Sequence, residues 1–246
     1  MPATIHIGTS GWHYKHWLGN FYPAKLPTSK MFEWYARHFH TVELNNSFYR
    51  LPNEEALLRW RALAPRGFTF AVKASRFITH MKKLKDPQPS IQKFFERALL
   101  LDHKLGPILF QLPPNFPMNR ERLEEFLEVV PRGPRYVFEF RDESWYSHGI
   151  YQVLRRHNAA LCIHDWRALQ RPPEITANFT YVRMHGPSGS YQGSYEDAQL
   201  LRWAHRIEAW RSELAAVYFY FNNDQGGFAV KNAMQLQELV GSPAAA

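Results

Sequence analysis

Eight apolar runs of strand length recur along the chain, and seven of them end in a short cluster of polar residues. Segments whose apolar residues follow the 3.6-residue period of a helix separate most of these runs. Strands that alternate with helices form parallel βαβ units, and eight such strands favour a closed barrel over an open sheet. The pattern therefore predicts an α/β fold, a single (β/α)8 barrel of the TIM type. The predicted strands begin near Ile5, Thr41, Phe68, Gly106, Tyr136, Ala160, Phe179 and Ala216.

Several helix starts are marked by residues that favour the N-cap position, where a side-chain oxygen accepts a free N–H of the first turn. These residues are Thr28 or Ser29, Asn53, Ser90 and Asn119. The segment between the sixth and seventh strands is different, because Arg171-Pro172-Pro173 interrupts it. Consecutive prolines oppose a full helix, so we expect the sixth helix to be reduced or missing.

The length and the cysteine content of the chain limit its class. Its 246 residues fit one barrel of this type, so we expect one domain over residues 1–240 and a disordered tail at 241–246. Cys162 is the single cysteine, which excludes an intrachain disulfide framework and fits a reducing cytoplasm. No signal peptide is visible, and no apolar stretch reaches the roughly 20 residues that a membrane helix needs. We therefore expect a cytoplasmic protein without a membrane partner.

The polar clusters at the strand ends predict the position of a site. In a (β/α)8 barrel the carboxyl ends of all strands meet at one mouth, where enzymes of this fold have their active sites. The side chains there that can transfer protons or act as nucleophiles are the catalytic candidates Glu43, Lys73, Glu139, His164 and His185. The substrate-binding candidates are Trp12, Tyr14, Asn45, Phe48, Tyr49, Gln111, Arg141, Trp145, Asp165, Arg183, Gly186, Gly189, Tyr195, Asn222 and Asn223.

The charged candidates allow more than one chemistry. Glu43 and Glu139 suit an acid–base pair of the kind that hydrolyses glycosidic bonds. Lys73 suits Schiff-base chemistry if it is desolvated beside Arg141 or Arg183. Alternatively these five residues form an ion network, with Lys73 beside Glu43 and an arginine beside Glu139, because an unpaired buried charge costs several kcal/mol.

A metal site is a further alternative. His164, Asp165, His185 and Glu139 offer the ligand types of a divalent metal, but their spacing matches no specific metal motif. We predict no cofactor and retain a divalent metal as the less favoured interpretation. Cys162 lies on the same strand face as His164, but it is better explained as a small core residue than as a nucleophile.

The loops at the predicted mouth have two distinct compositions. Glycines at residues 186–193 and 226–227 follow the seventh and eighth strands, and they would let backbone amides approach an oxyanion at the usual phosphate site of barrels. The loop after the first strand is aromatic instead, with Trp12, Tyr14 and Trp17. Such a loop either packs over the barrel end or stacks on a ligand.

A set of ordered motifs extends from the first strand to the last. They are Gly8-Thr9-Ser10-Gly11-Trp12, Val42-Glu43-Leu44-Asn45-Asn46-Ser47-Phe48-Tyr49, Phe70-Ala71-Val72-Lys73, Leu109-Phe110-Gln111-Leu112-Pro113-Pro114, Phe138-Glu139-Phe140-Arg141, Arg183-Met184-His185-Gly186 and Phe221-Asn222-Asn223-Asp224. In these motifs the chain resembles the YecE-like family, also called domain of unknown function 72, over nearly its whole length. The resemblance implies a TIM-barrel fold and brings no established reaction.

The charge balance indicates the kind of partner. Thirty Lys and Arg residues against 22 Asp and Glu give a net charge of +8, which favours an anionic partner or simply aids solubility. The first hypothesis is an enzyme that acts on an anionic small molecule, phosphate-bearing or sugar-like, by carboxylate and histidine acid–base chemistry of the hydrolase, isomerase or lyase kind. The second is a nucleic-acid-binding protein or nuclease that uses the same basic, aromatic mouth. The third is a barrel that binds a ligand without catalysis, and the oligomeric state is left open.

Overall fold

Eight parallel strands form one sheet in the computed structural model, which describes residues 2–49, 51–166, 173–188 and 191–241. The order of the strands in the sheet is β1-β8-β7-β6-β5-β4-β3-β2. Each strand begins within one residue of its predicted position, and the predicted TIM-like barrel is confirmed. The strands are β1 (Thr4–Thr9), β2 (Thr41–Leu44), β3 (Thr69–Lys73), β4 (Leu105–Gln111), β5 (Tyr136–Glu139), β6 (Ala160–His164), β7 (Phe179–Met184) and β8 (Ala216–Phe221).

Helices connect most of the strands. They are α1 (Met31–Tyr35), α2 (Asn46–Tyr49), α3 (Glu54–Leu63), α4 (Pro87–Ala98), α5 (Arg120–Val129), α6 (His148–Arg156), α7 (Asp197–Glu213) and α8 (Phe228–Val240). Two predicted caps are confirmed, since Asn53 Oδ1 accepts a hydrogen bond from the amide of Ala56 at 2.8 Å and Asn119 Oδ1 accepts one from Arg122 at 2.9 Å. None of the described helices is both long enough and apolar enough to cross a membrane.

Two other predicted helix starts are wrong. Ser90 lies inside α4 and donates to the carbonyl of Pro87 at 2.9 Å, because Pro87 already begins the helix at a position where no N–H is needed. Residues 28–30 form a 3₁₀ turn ahead of α1, so neither Thr28 nor Ser29 caps that helix. The first helix therefore begins at Met31, after both predicted cap residues.

Contacts between β1 and β2 nearly close the barrel. Ser10, just after β1, forms a parallel bridge with Glu43 in β2. Gly8 lies so close to the neighbouring strand that a Cβ atom there would be 2.4 Å from the carbonyl oxygen of Thr41. The hydroxyl of Tyr35 joins the two strands, since it accepts from the amide of Thr9 at 3.1 Å and donates to the carbonyl of Thr41 at 3.0 Å. Only a residue without a side chain fits at position 8 in this arrangement.

A buried apolar cluster fills the barrel below the mouth. Its members alternate along the strands with the residues that pack against the helices, as the pleat of a strand requires. Cys162 belongs to this cluster, in agreement with its interpretation as a core residue. The members are Ala71, Leu109, Val137, Ala160, Cys162, Phe179, Tyr181, Ala216, Tyr218 and Tyr220. The barrel is thus a packed core, and ligand chemistry is confined to its end.

The predictions for the segment before β7 and for the tail fall largely outside the described residues. Residues 167–172, where the reduced helix was expected, and residues 242–246 are not described. The described part of the connection, residues 173–178, contains no helix. Thr176 fixes this part beside β6, because its hydroxyl accepts from the amide of Leu161 at 2.8 Å and donates to the carbonyl of Ala159 at 2.7 Å.

Candidate functional site

Arg183 is the centre of the barrel mouth. It lies at the end of β7 and is buried, and its guanidinium joins two buried carboxylates, one from β2 and one from β5. Nε and Nη2 donate to Glu43 at 2.8 and 2.7 Å, and Nη1 donates to Glu139 at 2.6 Å. The bond pair to Glu43 has the bidentate geometry that makes arginine–carboxylate pairs strong.

Both carboxylate oxygens of Glu43 accept hydrogen bonds from neighbouring side chains. Oε1 accepts from Ser10 Oγ at 2.6 Å as well as from Arg183, and Oε2 accepts from the Tyr181 hydroxyl at 2.7 Å. Burial alone would raise the pKa of Glu43, but the charge of Arg183 and these hydrogen bonds together lower it. Glu43 is therefore ionised at neutral pH and has no proton to give.

Glu139 lies between two guanidinium groups. Besides Arg183, it forms an ion pair with Arg141 through Oε1. Burial would raise the pKa of Glu139, but the charges of Arg141 and Arg183 hold it well below its usual value. A carboxylate with such a low pKa is a weak base, so its main effect is to position the two arginines.

His185 contacts both arginines through one ring nitrogen. Its Nε2 is 3.1 Å from Arg141 Nη2 and 3.4 Å from Arg183 Nη1. Guanidinium nitrogens only donate, so they face Nε2 as an acceptor, and the donor nitrogen Nδ2 of Asn222 lies 3.2 Å from Nδ1 on the other side of the ring. Burial, reinforced by the charge of Arg183, lowers the pKa of His185 well below its usual value. The ring is neutral, and its lone pair is already engaged.

His164 is likewise engaged at both ring nitrogens. Nε2 lies 3.1 Å from the carbonyl of Phe140, to which it donates, and 2.9 Å from the Tyr146 hydroxyl. Nδ1 accepts from the amide of Trp166 at 3.3 Å. Burial lowers the pKa of His164, so this ring is neutral and orients the chain after β5 and β6.

Lys73 differs from the other catalytic candidates. Its Nζ lies 4.2 Å from the centre of the Phe48 ring, and no described residue gives it a hydrogen bond or an ion pair. The ion pair between Lys73 and Glu43, which the ion-network alternative predicts, is therefore not formed. Burial, followed by the nearby charge of Arg183, lowers the pKa of Lys73 to about 7. An ordinary lysine has a pKa near 10.4, so Lys73 loses its proton far more readily near neutral pH than a surface lysine does.

Arg141 also has N–H groups that form no hydrogen bond with the described residues. Its guanidinium lies 4.2 Å from the centre of the Trp166 ring, and its side chain is 4% exposed. Nη2 is directed to Glu139 and His185, while Nε and Nη1 have no hydrogen-bond partner in the part of the chain that the structure describes. The flat face of Trp166 and the pair to Glu139 together fix the plane of this arginine.

Asp165 shapes the backbone beside the cluster. Its carboxylate accepts from the amide of His185 at 2.6 Å and from the hydroxyl of Tyr195. The same hydroxyl accepts from the amide of Gly186 at 2.6 Å, so this glycine amide is already used inside the protein. Asn223 is buried and donates to the carbonyl of Gly193 at 2.9 Å. These predicted ligand-binding residues hold the loops that follow β6, β7 and β8.

The predicted aromatic residues lie at several depths. Trp145 is fully buried, stacks on Phe140 and donates to the carbonyl of Phe116 at 2.6 Å. Trp12 packs against Phe32 and Trp60. Both support the barrel wall.

Four other predicted residues lie nearer the mouth. Tyr14 donates to the carbonyl of Ser10 at 2.6 Å, and Tyr49 is 75% exposed. Asn45 is half-buried, and its Oδ1 lacks a hydrogen-bond partner among the described residues. Gln111, at the end of β4, is in register with Glu139. Gly189 lies outside the described residues.

Four contributors to the site were not among the predicted residues. Ser10 and Tyr181 donate to Glu43, Trp166 stacks on Arg141, and the Tyr191 ring centre lies 5.7 Å from that of His185. A usable signal existed for Tyr181, because it precedes Arg183 by two residues and so shares its strand face. Trp166 directly follows the polar end of β6.

The predicted metal ligands do not form a metal site in the described ranges. No group of three or more His, Cys, Asp or Glu side chains there is arranged to bind a metal ion. His164 and His185 are instead engaged with backbone, amide and guanidinium groups, and Asp165 with two donors.

Sequence comparison connects this site to a family. The model of the family described as "Protein of unknown function DUF72" matches residues 6–246. The UPF0759 protein YunF of Bacillus subtilis is 28% identical over 276 aligned positions, which cover 96% of this chain and 94% of that protein. The UPF0759 protein YecE of Escherichia coli K12 is 32% identical over 146 positions, or 59% of this chain and 51% of that protein.

Solved structures show the same fold. A DUF72 family protein from Thermotoga maritima superposes with a TM-score of 0.87 at 27% identity, covering 97% of this chain and all of the other. A DUF72 family protein from Enterococcus faecalis superposes with a TM-score of 0.81 at 20% identity, covering 98% of this chain and 97% of the other.

Proposed function

Since this chain belongs to the DUF72 family, whose description assigns no reaction, we propose from the site itself that the barrel mouth is the active site of an enzyme for an anionic small molecule, phosphate-bearing or sugar-like. The proposal is supported mainly by the charge balance at the mouth. The ionised Glu43 and Glu139 cancel the charges of Arg141 and Arg183. Lys73 is the fifth charge, and its protonated form leaves one positive charge uncompensated.

Arg141 is the residue best suited to bind the anion. Two of its nitrogens carry N–H groups without partners among the described residues, and its plane is fixed by Trp166 and Glu139. A preoriented guanidinium is a strong ligand for phosphate and carboxylate oxygens. Arg183, by contrast, has its donors directed to the two glutamates. We therefore assign anion binding to Arg141 and a positioning role to Arg183.

Lys73 is the residue best suited to transfer a proton. Glu43 and Glu139 are held ionised, and the acceptor nitrogens of His164 and His185 are engaged in the protein. A group with a pKa near the working pH serves well as a general acid or base, and burial places the pKa of Lys73 at about 7. In this proposal the carboxylates and histidines build the site, and Lys73 exchanges the proton.

The proposal is tested by titrating the protein with sulfate, an anion that keeps its charge near neutral pH, in a calorimeter. Arg141→Gln should weaken binding by about tenfold, as expected for the loss of one charge-assisted hydrogen-bonding group. Affinity should also fall as the pH rises above about 7, because Lys73 then loses its charge. Arg206→Gln is the matched control, since Arg206 is another arginine beside a tryptophan, Trp203, on α7.

Two results would contradict the proposal. Sulfate binding that is equally tight in Arg141→Gln, or absent from the parent protein, would remove the anion site. Turnover is tested with a panel of phosphorylated and unphosphorylated sugars, and any activity should disappear in Lys73→Met. Sulfate binding without turnover of any member would favour the ligand-binding barrel that lacks catalysis.

A nucleic-acid-binding function is the second candidate. It is favoured by Tyr49, whose ring is 75% exposed, and by the stack of Arg141 on Trp166, because aromatic and arginine side chains also bind unstacked bases. The net charge of +8 is compatible with this function.

A further inference from the structure

We infer that Lys73 is a nucleophile, and that its Nζ forms an imine with an aldehyde or ketone carbonyl of the anionic ligand. This inference rests on the proposed function, because Arg141 must hold the anionic group of the ligand while the carbonyl reaches Lys73. It narrows the substrate class to phosphorylated or carboxylated carbonyl compounds.

The position of Lys73 suits a nucleophile. It ends β3 at the mouth, and its backbone is fixed because the carbonyl of Lys73 accepts the hydroxyl proton of Ser47 at 2.6 Å. Its Nζ lies against the face of Phe48, which shields one side from water. None of the described residues forms a hydrogen bond with Nζ, so the lone pair of the neutral amine is unoccupied by them. An unpartnered amine on a rigid strand end is preorganised for attack.

Charged and titratable groups surround Lys73 on several elements. They are Glu43 from β2, Glu139 from β5, Arg141 after β5, Arg183 from β7 and His80 from the turn at residues 77–81. Burial has the largest effect and lowers the pKa of Lys73, the two arginines lower it further, and the two glutamates oppose them, giving about 7. His80 is neutral near pH 7, because burial and the charge of Lys73 lower its pKa to about 4. The neutral amine is thus a major form of Lys73 at neutral pH.

The covalent step balances without an added reagent. The lone pair of the Lys73 amine forms a C–N bond to the carbonyl carbon, and the C=O π electrons move to oxygen, which takes up the proton that the nitrogen releases. The resulting carbinolamine loses that oxygen as water, with a second proton, and leaves the protonated imine. The iminium has the same single positive charge as protonated Lys73, which the bound anion of the ligand offsets. It withdraws electrons from the adjacent carbon, so reactions that break a C–H or C–C bond there become accessible.

Borohydride trapping tests the inference directly. The protein is incubated at pH 7 with glycolaldehyde phosphate, a small aldehyde with a phosphate group, then reduced with borohydride and mapped by peptide mass spectrometry. The neutral fraction of a lysine with a pKa of about 7 exceeds that of an ordinary lysine roughly a thousandfold at this pH. We expect the secondary amine at Lys73 at least about tenfold more often than at any surface lysine. Lys25→Arg, which removes an exposed lysine, should not change labelling at Lys73.

The controls separate this inference from the proposed function. Lys73→Arg should abolish the adduct while sulfate binding remains, and Arg141→Gln should reduce both labelling at Lys73 and sulfate binding. Labelling spread over surface lysines with none at Lys73, in a protein that binds sulfate through Arg141, would overturn the imine and leave the anion site standing. Loss of sulfate binding from the parent protein would instead overturn the proposed function.

Discussion

Lys73 lowers the stability of the folded protein while it supplies a reactive amine. In the unfolded chain its pKa is that of an ordinary lysine, and in the folded protein it is about 7. Between these two values the unfolded chain binds more protons, so this group disfavours folding increasingly as the pH falls from about 10 to about 7. Lys73→Met should therefore raise the free energy of unfolding at pH 7 by at least about 1 kcal/mol, because each unit by which a pKa is lowered corresponds to about 1.4 kcal/mol. Urea denaturation at several pH values measures the difference.

The pH dependence distinguishes this effect from a general packing gain. The stabilisation by Lys73→Met should shrink as the pH rises towards 10, where Lys73 is neutral in both states. Lys25→Met, at an exposed position, should change stability by less than about 0.5 kcal/mol at every pH. Equal stabilisation at pH 7 and pH 10 would mean that Lys73 is not held with a lowered pKa.

At the residue scale the sequence predicted which side chains are at the mouth and, in the ion-network alternative, the pairing of an arginine with Glu139, but not the partners of Glu43 and Lys73. The position of a residue at the carboxyl end of a strand is a local signal, and it places Glu43, Glu139 and Arg183 at the same end of the barrel. Pairing depends on distances across the barrel, which no local pattern contains. Arg183 consequently bridges both glutamates, while Lys73, which was expected beside Glu43 in the ion-network alternative, forms no ion pair with the described residues.

Closure of the barrel depends on the contact between β1 and β2. Gly8 allows the strands to approach, since a Cβ there would lie 2.4 Å from the Thr41 carbonyl oxygen. Gly8→Ala should push β1 away from β2 and lower the free energy of unfolding by roughly 1–3 kcal/mol, the usual cost of overpacking a core. It should also weaken sulfate binding, because Ser10 follows β1 and donates to Glu43.

Gly149→Ala in α6 is the matched control for this prediction. The nearest atom to a Cβ at position 149 is 3.9 Å away, so the same substitution should change stability by less than about 1 kcal/mol and leave anion binding intact. Thermal unfolding of both variants provides the comparison. Equal stability of Gly8→Ala and the parent protein would show that the two strands have room to separate without loss.

At the element scale the sequence was informative where a local signal is unambiguous. The apolar runs predicted where the strands start. The preference of asparagine for the N-cap position predicted the caps Asn53 and Asn119. Ser90 failed as a cap because Pro87, three residues earlier, is equally suited to the first turn. The Ser10–Glu43 bridge was not predictable, since it joins residues whose strands meet only when the barrel closes.

The whole molecule has a net charge of +8. The two candidate functions differ in whether the ligand contacts this charge over a wide surface or only at the mouth. A small-molecule enzyme needs only the local charge at the mouth, whereas nucleic acid would contact many basic residues together. Fluorescence anisotropy with single- and double-stranded oligonucleotides, at low and moderate salt, measures the second possibility. We expect weak binding that falls steeply with salt, as counterion release requires for any basic protein.

Two variants test whether oligonucleotides bind at the barrel mouth. Arg141→Gln should leave this nonspecific oligonucleotide binding nearly unchanged, because it removes one of 30 basic residues, while it weakens sulfate binding about tenfold. Tyr49→Ala removes the most exposed aromatic ring of the region and should have no effect on either. Tight single-strand binding that both substitutions weaken would instead place bases against Tyr49 and phosphates at Arg141. The anion in the mouth would then be a phosphate of a nucleic-acid strand, and nuclease or repair chemistry would be the expected reaction class.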